Sequence, residues 1–218
     1  MRRTILYYVC FPALIILSIS ISYASESDKK ATEPSKEPPM DWSKPVVSRG
    51  FGDVEAKSTE DKLKVEQYKS GQVLYFFGDY QKAIEKWEPL LKENFAIAQA
   101  SMGWLYQMGL GVEKDTKKAL QLYLLAAEQK NAVAQNNLGV MYEQGIEVNV
   151  DIKQAMLWYE KSAKNGYRFA QYNYANLLIE GVGGEKDISQ AIEWYKKASV
   201  QKVKQATEKL LLLDKKVN

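Results

Sequence analysis

Apolar residues fall into three regimes along this chain. From Ile5 to Ile21 they run almost unbroken. From Ser25 to about Lys57 they are sparse and follow no period. From about Leu63 onward they recur at helical spacing. The last regime also repeats itself: a shift of 36 residues aligns Ala96–Asn131, Ala132–Tyr167 and Arg168–Val203. Ala98, Ala134 and Ala170 coincide, each followed by Gln. So do Gly109, Gly145 and Gly181; Asp115, Asp151 and Asp187; Ala119, Ala155 and Ala191; and Tyr123, Tyr159 and Tyr195.

Each block predicts two helices. In the middle block Ala134, Leu138, Met141 and Tyr142 form one helical stripe, and Ala155, Trp158, Tyr159 and Ala163 form the second. The aligned glycine suits a left-handed cap at the end of the first helix. The aligned aspartate suits the N-cap of the second. Asp151 with Gln154, and Asp187 with Gln190, have capping-box spacing. The small residues Gly103, Gly139, Ala175, Ala119, Ala155 and Ala191 are expected to let helices approach closely, with aromatic side chains filling the space between pairs. One such pair cannot bury both its faces, so the pairs must stack into an all-α solenoid of helix-turn-helix units.

The pattern A-x-x-x-L-G-x-x-Y-x-x-G, a loop, then D-x-x-x-A-x-x-W-Y-x-x-A-A resembles the Sel-one-like repeat family, a relative of the tetratricopeptide repeats, and the resemblance implies a right-handed solenoid. Residues 134–163 match it best, with AQNNLGVMYEQG followed by DIKQAMLWYEKSA. Residues 63–95, with Gly71, Gly78-Asp79-Tyr80, Ala83 and Trp87, look more like an opening tetratricopeptide unit. Residues 204–215 look like a lone first helix closing the stack. The organisation expected is therefore a leader at 1–24, a linker at 25–58 and a solenoid at 59–215, with repeats 96–131, 132–167 and 168–203. Three departures from the family pattern stand out. Glu147 replaces the second loop glycine, so a different turn is expected there. Ala175 replaces the repeat glycine, and Leu178 the repeat tyrosine. The cysteines that staple one secreted bacterial branch of the family are absent, so packing alone must hold this stack.

The resemblance implies a binding function: an adaptor that holds a peptide or protein in a concave groove lined by the first helix of each pair. Carrying that rule over by register names Tyr68, Gln72 and Tyr75 in the first unit, then Ala100, Trp104 and Gln107, then Asn136, Val140 and Glu143, then Tyr172, Asn176 and Ile179. Aromatic anchors among adaptable polar neighbours suit a protein partner. Trp104 and Tyr172 stand out as large aromatics outside the repeat pattern. If they face a partner, their joint replacement by Ala abolishes capture and leaves melting nearly unchanged. A cell-wall glycan stacking on groove aromatics is the alternative partner.

Composition narrows the chemistry. The 218 residues contain no histidine and one cysteine, Cys10. This excludes Ser-His-Asp and Cys-His catalysis and His- or Cys-ligated metals from the region after the leader. Carboxylate chemistry and oxygen-ligated Ca²⁺ or Mg²⁺ remain open, but no acid pair stands out. Glu113 with Asp115, and Glu185 with Asp187, lack an EF-hand ligand ladder. The glycine-rich stretches GLGVEKD and GVGGEKD lack the Gly-Lys-Ser/Thr ending of a phosphate loop. No cofactor or metal is expected. Lys and Arg number 30 against 27 acids, and removing Arg2 and Arg3 with the leader reduces the excess to +1. Such a balance does not suit a nucleic-acid binder.

Met1-Arg2-Arg3, the apolar run and Ser22-Tyr23-Ala24 have the layout of a signal peptide cleaved after Ala24, which predicts export to the periplasm or beyond. An uncleaved anchor, with the linker as a stalk, is the alternative. The linker carries Pro34, Pro38, Pro39 and Pro45 and is expected to be extended. Trp42 and Val46-Val47 are its apolar exceptions, read first as chance and alternatively as a short segment that docks on the folded domain or a partner.

Overall fold

The computed structural model describes residues 58–217, with side-chain environments through Asp214. The predicted leader, the linker up to residue 57, and Trp42 with Val46-Val47 lie outside the described residues. Among those described, nine helices follow in order: α1 (Thr59–Phe76), α2 (Tyr80–Lys92), α3 (Ala96–Met108), α4 (Thr116–Glu128), α5 (Ala132–Gln144), α6 (Ile152–Lys164), α7 (Arg168–Glu180), α8 (Ile188–Val200) and α9 (Lys204–Val217). The described residues form no strand, and none of their helices is long and apolar enough to cross a membrane. Substantial contacts join only helices consecutive in the chain. That is the one-dimensional stacking of a solenoid, in which each pair is stabilised by its neighbours.

Local sequence explains where the helices start and stop. Ser58 caps α1, accepting from the Asp61 amide at 3.0 Å. Asp115, Asp151 and Asp187 cap α4, α6 and α8, accepting from the third amide on at 2.9, 3.0 and 2.8 Å. The capping box forms only in this half. The amides of Asp151 and Asp187 donate instead to the carbonyls of Tyr142 and Leu178 in the preceding helix, at 2.9 and 3.0 Å. Each aspartate therefore pins a loop across the hairpin as well as starting a helix.

At the C-termini of α3, α5 and α7 the chain turns through Gly109, Gly145 and Gly181, all left-handed with φ of 70°, 71° and 67°. The loop position two residues later is left-handed in all three repeats: Gly111 at 71°, Glu147 at 58° and Gly183 at 85°. The expectation of a different turn at Glu147 is thus corrected. The difference lies in the partner. A Cβ at Gly111 would sit 2.7 Å from Tyr80 Cβ, and one at Gly183 would sit 2.8 Å from the Ile152 carbonyl oxygen. The corresponding partner of Glu147 is Thr116, whose hydroxyl donates to the Glu147 carboxylate. That hydrogen bond offsets the cost of a non-glycine residue in the left-handed region.

The two helices of each pair are buried unequally. In α3 ten of thirteen residues are buried and in α5 nine, against five in α4 and four in α6. The first helices form the interior of the stack, and the second helices form its outer wall. The glycines of α1, α3 and α5 each admit an aromatic ring from the second helix of the pair. A Cβ at Gly71 would meet Trp87 at 2.4 Å, one at Gly103 would meet Tyr123 at 2.8 Å, and one at Gly139 would meet Tyr159 at 2.6 Å. Trp87, Tyr123, Tyr159 and Tyr195 are fully buried.

Candidate functional site

The first helices place the twelve predicted groove residues in two groups. Tyr68, Tyr75, Ala100, Trp104, Gln107, Asn136, Val140 and Tyr172 are buried. Gln72, Glu143, Asn176 and Ile179 are half-buried. The expectation that the first group faces a partner is corrected by what these side chains touch. Tyr68 stacks on Trp87 with centroids 5.4 Å apart, and its hydroxyl pairs with Ser101 Oγ at 2.9 Å. Trp104 is 9% exposed, and its indole N–H donates to Tyr75 Oη at 3.2 Å. Asn136 Oδ1 accepts from Asn173 Nδ2 at 3.1 Å. Tyr172 packs on Tyr195 with centroids 5.8 Å apart. These are contacts within and between repeats. A helix held between its own hairpin partner and the flanking repeats has few side chains left for an open groove.

The remaining positions form an ordered polar row. Each repeat buries a tyrosine from its second helix, and a buried hydroxyl needs an acceptor. Tyr123 donates to Gln107 Oε1 at 2.8 Å, and Tyr159 donates to Glu143 Oε2 at 2.6 Å. The same register position in the third repeat is Ile179, which cannot accept. Tyr195 donates instead to Asn176 Oδ1 at 2.7 Å, one turn earlier. Burial pushes the Tyr195 phenol well above its ordinary pKa, keeping it a donor. The predicted residues Gln107, Glu143 and Asn176 are therefore held by the core from below. Glu143 and Asn176 remain partly open to solvent, beside Ile179.

Register analysis missed the role of the glutamine that follows each aligned alanine. Gln99, Gln135 and Gln171 are buried. Each accepts, through Oε1, an amide N–H from the residue capping the second helix of its repeat: Gln129 at 2.8 Å, Asn165 at 2.8 Å and Gln201 at 2.9 Å. Gln135 and Gln171 also donate back to the preceding repeat, to the carbonyls of Ala127 and Ala163 at 3.2 and 3.3 Å. One side chain thus ties two repeats together. Its strict recurrence was visible in the sequence, but its partners, about 30 residues away, were not.

No group of three or more acidic, histidine or cysteine residues is placed to hold a metal among the described residues. On the outer wall, a shallow, solvent-open cleft of about 550 Å³ runs between α6 and α8, lined by Glu160, Lys164, Ser189, Gln190, Glu193, Trp194 and Lys197. No part of it belongs to the predicted groove.

The Sel1 repeat family model matches residues 96–131, 132–167 and 168–199. A Sel1 repeat protein from Oxalobacter formigenes superposes with a TM-score of 0.62 at 34% identity, over 66% of this chain and 60% of that one. A protective antigen of uropathogenic Escherichia coli strains, displaying an SLR fold, superposes with a TM-score of 0.60 at 29% identity, over 67% of this chain and 32% of that one. The chain therefore spans less than two thirds of either relative. No curated protein matches it.

Proposed function

We propose that this chain, whose residues 96–199 match the Sel1 repeat model, is an exported, non-enzymatic scaffold that holds a peptide or protein partner on the inner side of its stack. Sel1 repeat proteins typically mediate protein–protein interaction. The observation that carries the reading is the polar row locked by buried tyrosines. Glu143 and Asn176 are half-exposed, yet each has one oxygen held from below, at 2.6 and 2.7 Å. A side chain ordered before binding loses little rotamer freedom on contact, which favours affinity without new contacts. Ile179 supplies an apolar neighbour to this row. Export rests on the signal-peptide layout of residues 1–24, and N-terminal sequencing of the mature protein from the native envelope tests it: a first residue of Ser25 is expected, and an intact Met1 supports the anchored form instead.

The partner reading is tested by crosslinking capture from native envelope extract, with one dominant protein competed by untagged chain. Joint Glu143→Ala and Asn176→Ala substitution is expected to lower capture at least tenfold. Tyr159→Phe keeps the ring but releases Glu143, and is expected to weaken capture severalfold at retained helicity. Unchanged capture by both variants would overturn the inner-row reading.

A further inference from the structure

The outer-wall cleft between α6 and α8 has a composition that neither the repeat nor the packing requires. Its wall is Trp194, half-buried, with one edge against Tyr174 (centroids 5.8 Å apart, planes at 72°). Its rim alternates in sign: Glu160 pairs with Lys164 at 2.7 Å, Glu193 pairs with Lys196 at 2.9 Å, and the Lys197 ammonium lies 3.9 Å from the Trp194 ring centre. Tyr174 is buried and donates to Gln190 Oε1 at 3.1 Å, which orients that exposed amide in the lining.

Two carboxylates and two ammonium groups line the cleft, so it has no net charge with which to select an anion or a cation. Its lining sets the Trp194 ring among six polar or charged side chains. What such a surface satisfies is a neutral ligand whose groups each both donate and accept. Hydroxyls do this, donating to Glu160, Glu193 and Gln190 and accepting from Lys164, Lys197 and Ser189. Hydrogen bonds with one ionised partner are stronger than neutral ones. The negative face of an indole also attracts polarised C–H groups.

The comparison with the preceding repeat sharpens this. Shifting the lining back by 36 residues gives Leu124, Glu128, Lys153, Gln154, Leu157, Trp158 and Lys161. The Trp–Lys pair persists, and Lys161 sits 4.1 Å from the Trp158 ring centre. The two carboxylates, however, are replaced by Leu124 and Leu157. The pair of glutamates is therefore particular to the α6–α8 cleft, the preceding repeat carrying a single acid, Glu128, at the Lys164 position.

We propose that the α6–α8 cleft is a glycan subsite, in which a neutral sugar ring lies against Trp194 and its hydroxyls bind Glu160, Glu193 and Gln190. The site is separate from the inner row and does not depend on it. Occupation requires Lys197 to leave the indole face, a rotamer change of an exposed side chain.

The test is titration of the full chain, followed through the Trp194 indole N–H resonance. The probes are a β-1,4-linked N-acetylglucosamine tetramer, cellotetraose, and a peptide of alternating Lys and Glu. Saturable displacement of the Trp194 resonance by at least one sugar, and none by the peptide, is the expected result. Trp194→Ala is expected to weaken that sugar at least tenfold. Glu160→Gln with Glu193→Gln keeps the shape, and is expected to weaken it about tenfold through loss of ionised acceptors. No displacement by either sugar at millimolar concentration overturns the proposal. So does sugar binding that survives both sets of substitutions. Saturation by the peptide alone also overturns it, and assigns the cleft to a mixed-charge protein partner.

Discussion

Gly139→Ala puts the packing logic of this stack to a quantitative test. Gly139 lies in the middle of α5, where its backbone is ordinary helix, so the substitution brings about 1 kcal/mol of helix propensity in its favour. Packing opposes it. The new Cβ would lie 2.6 Å from both Cδ1 and Cε1 of Tyr159 and 3.1 Å from Cγ, where carbon atoms settle at about 3.5–4.0 Å. The ring is fully buried and its hydroxyl is held by Glu143 at 2.6 Å, so it has no free direction in which to retreat. Overpacking of a filled core costs about 1–3 kcal/mol, and an overlap of this depth belongs in the upper half of that range. The net expectation is a loss of about 1–2 kcal/mol, from the difference of those two effects. Urea unfolding measures it, followed both by far-UV circular dichroism and by the near-UV tyrosine signal, whose coincidence guards against repeat-by-repeat unfolding. Ala175→Gly is the control. The third repeat already carries the methyl at this register, so removing it is expected to lose about 1 kcal/mol of propensity. A Gly139→Ala protein as stable as the parent, or more stable, would show that propensity outweighs the ring contact and would refute the reasoning.

Two further predictions follow from burial. Trp104→Ala and Tyr172→Ala are each expected to destabilise by about 3–5 kcal/mol, the range for deleting a buried aromatic. They lie in different apolar clusters, so their effects should add in denaturant titrations; a double variant that melts like the parent would contradict their placement. Alkaline stability reports on Tyr174, whose phenol is pushed from its ordinary 10.0 up to about 12 by burial and then by the Glu160 carboxylate. A raised pKa means the folded state retains its proton longer. Its contribution is full below pH 10 and is lost as pH rises through about 12. Melting temperature is expected to fall across that window, and Tyr174→Phe to make the fall shallower; an identical slope in the variant would remove Tyr174 as the cause.

The regularity of the stack was legible because it is written in local and periodic terms. Capping aspartates, left-handed glycines and apolar stripes depend on residues within one or two turns of each other, and the 36-residue recurrence repeats them. Even the close-approach glycines could be named, since small residues at fixed register have few other uses. The groove could not be read in the same way. Register says which side of a helix a residue occupies, but exposure depends on how tightly successive repeats close over that side. Here they close far enough to bury Trp104, Asn136, Val140 and Tyr172.

What the sequence determined alone, then, is the repeat: its length, its helix boundaries and its all-α class. These follow from backbone preferences and hydrophobic periodicity within each 36-residue block. Tertiary structure decided how the polar groups inside that frame were used. Ile179 and Asn176 show why. Nothing local marks Ile179 as a failed acceptor or Asn176 as its substitute. That exchange exists because a hydroxyl buried on a different helix must be satisfied. The acceptors around Trp194 are of the same kind. They are ordinary helix-surface glutamates in the sequence, and they become a cleft only when α6 and α8 lie side by side.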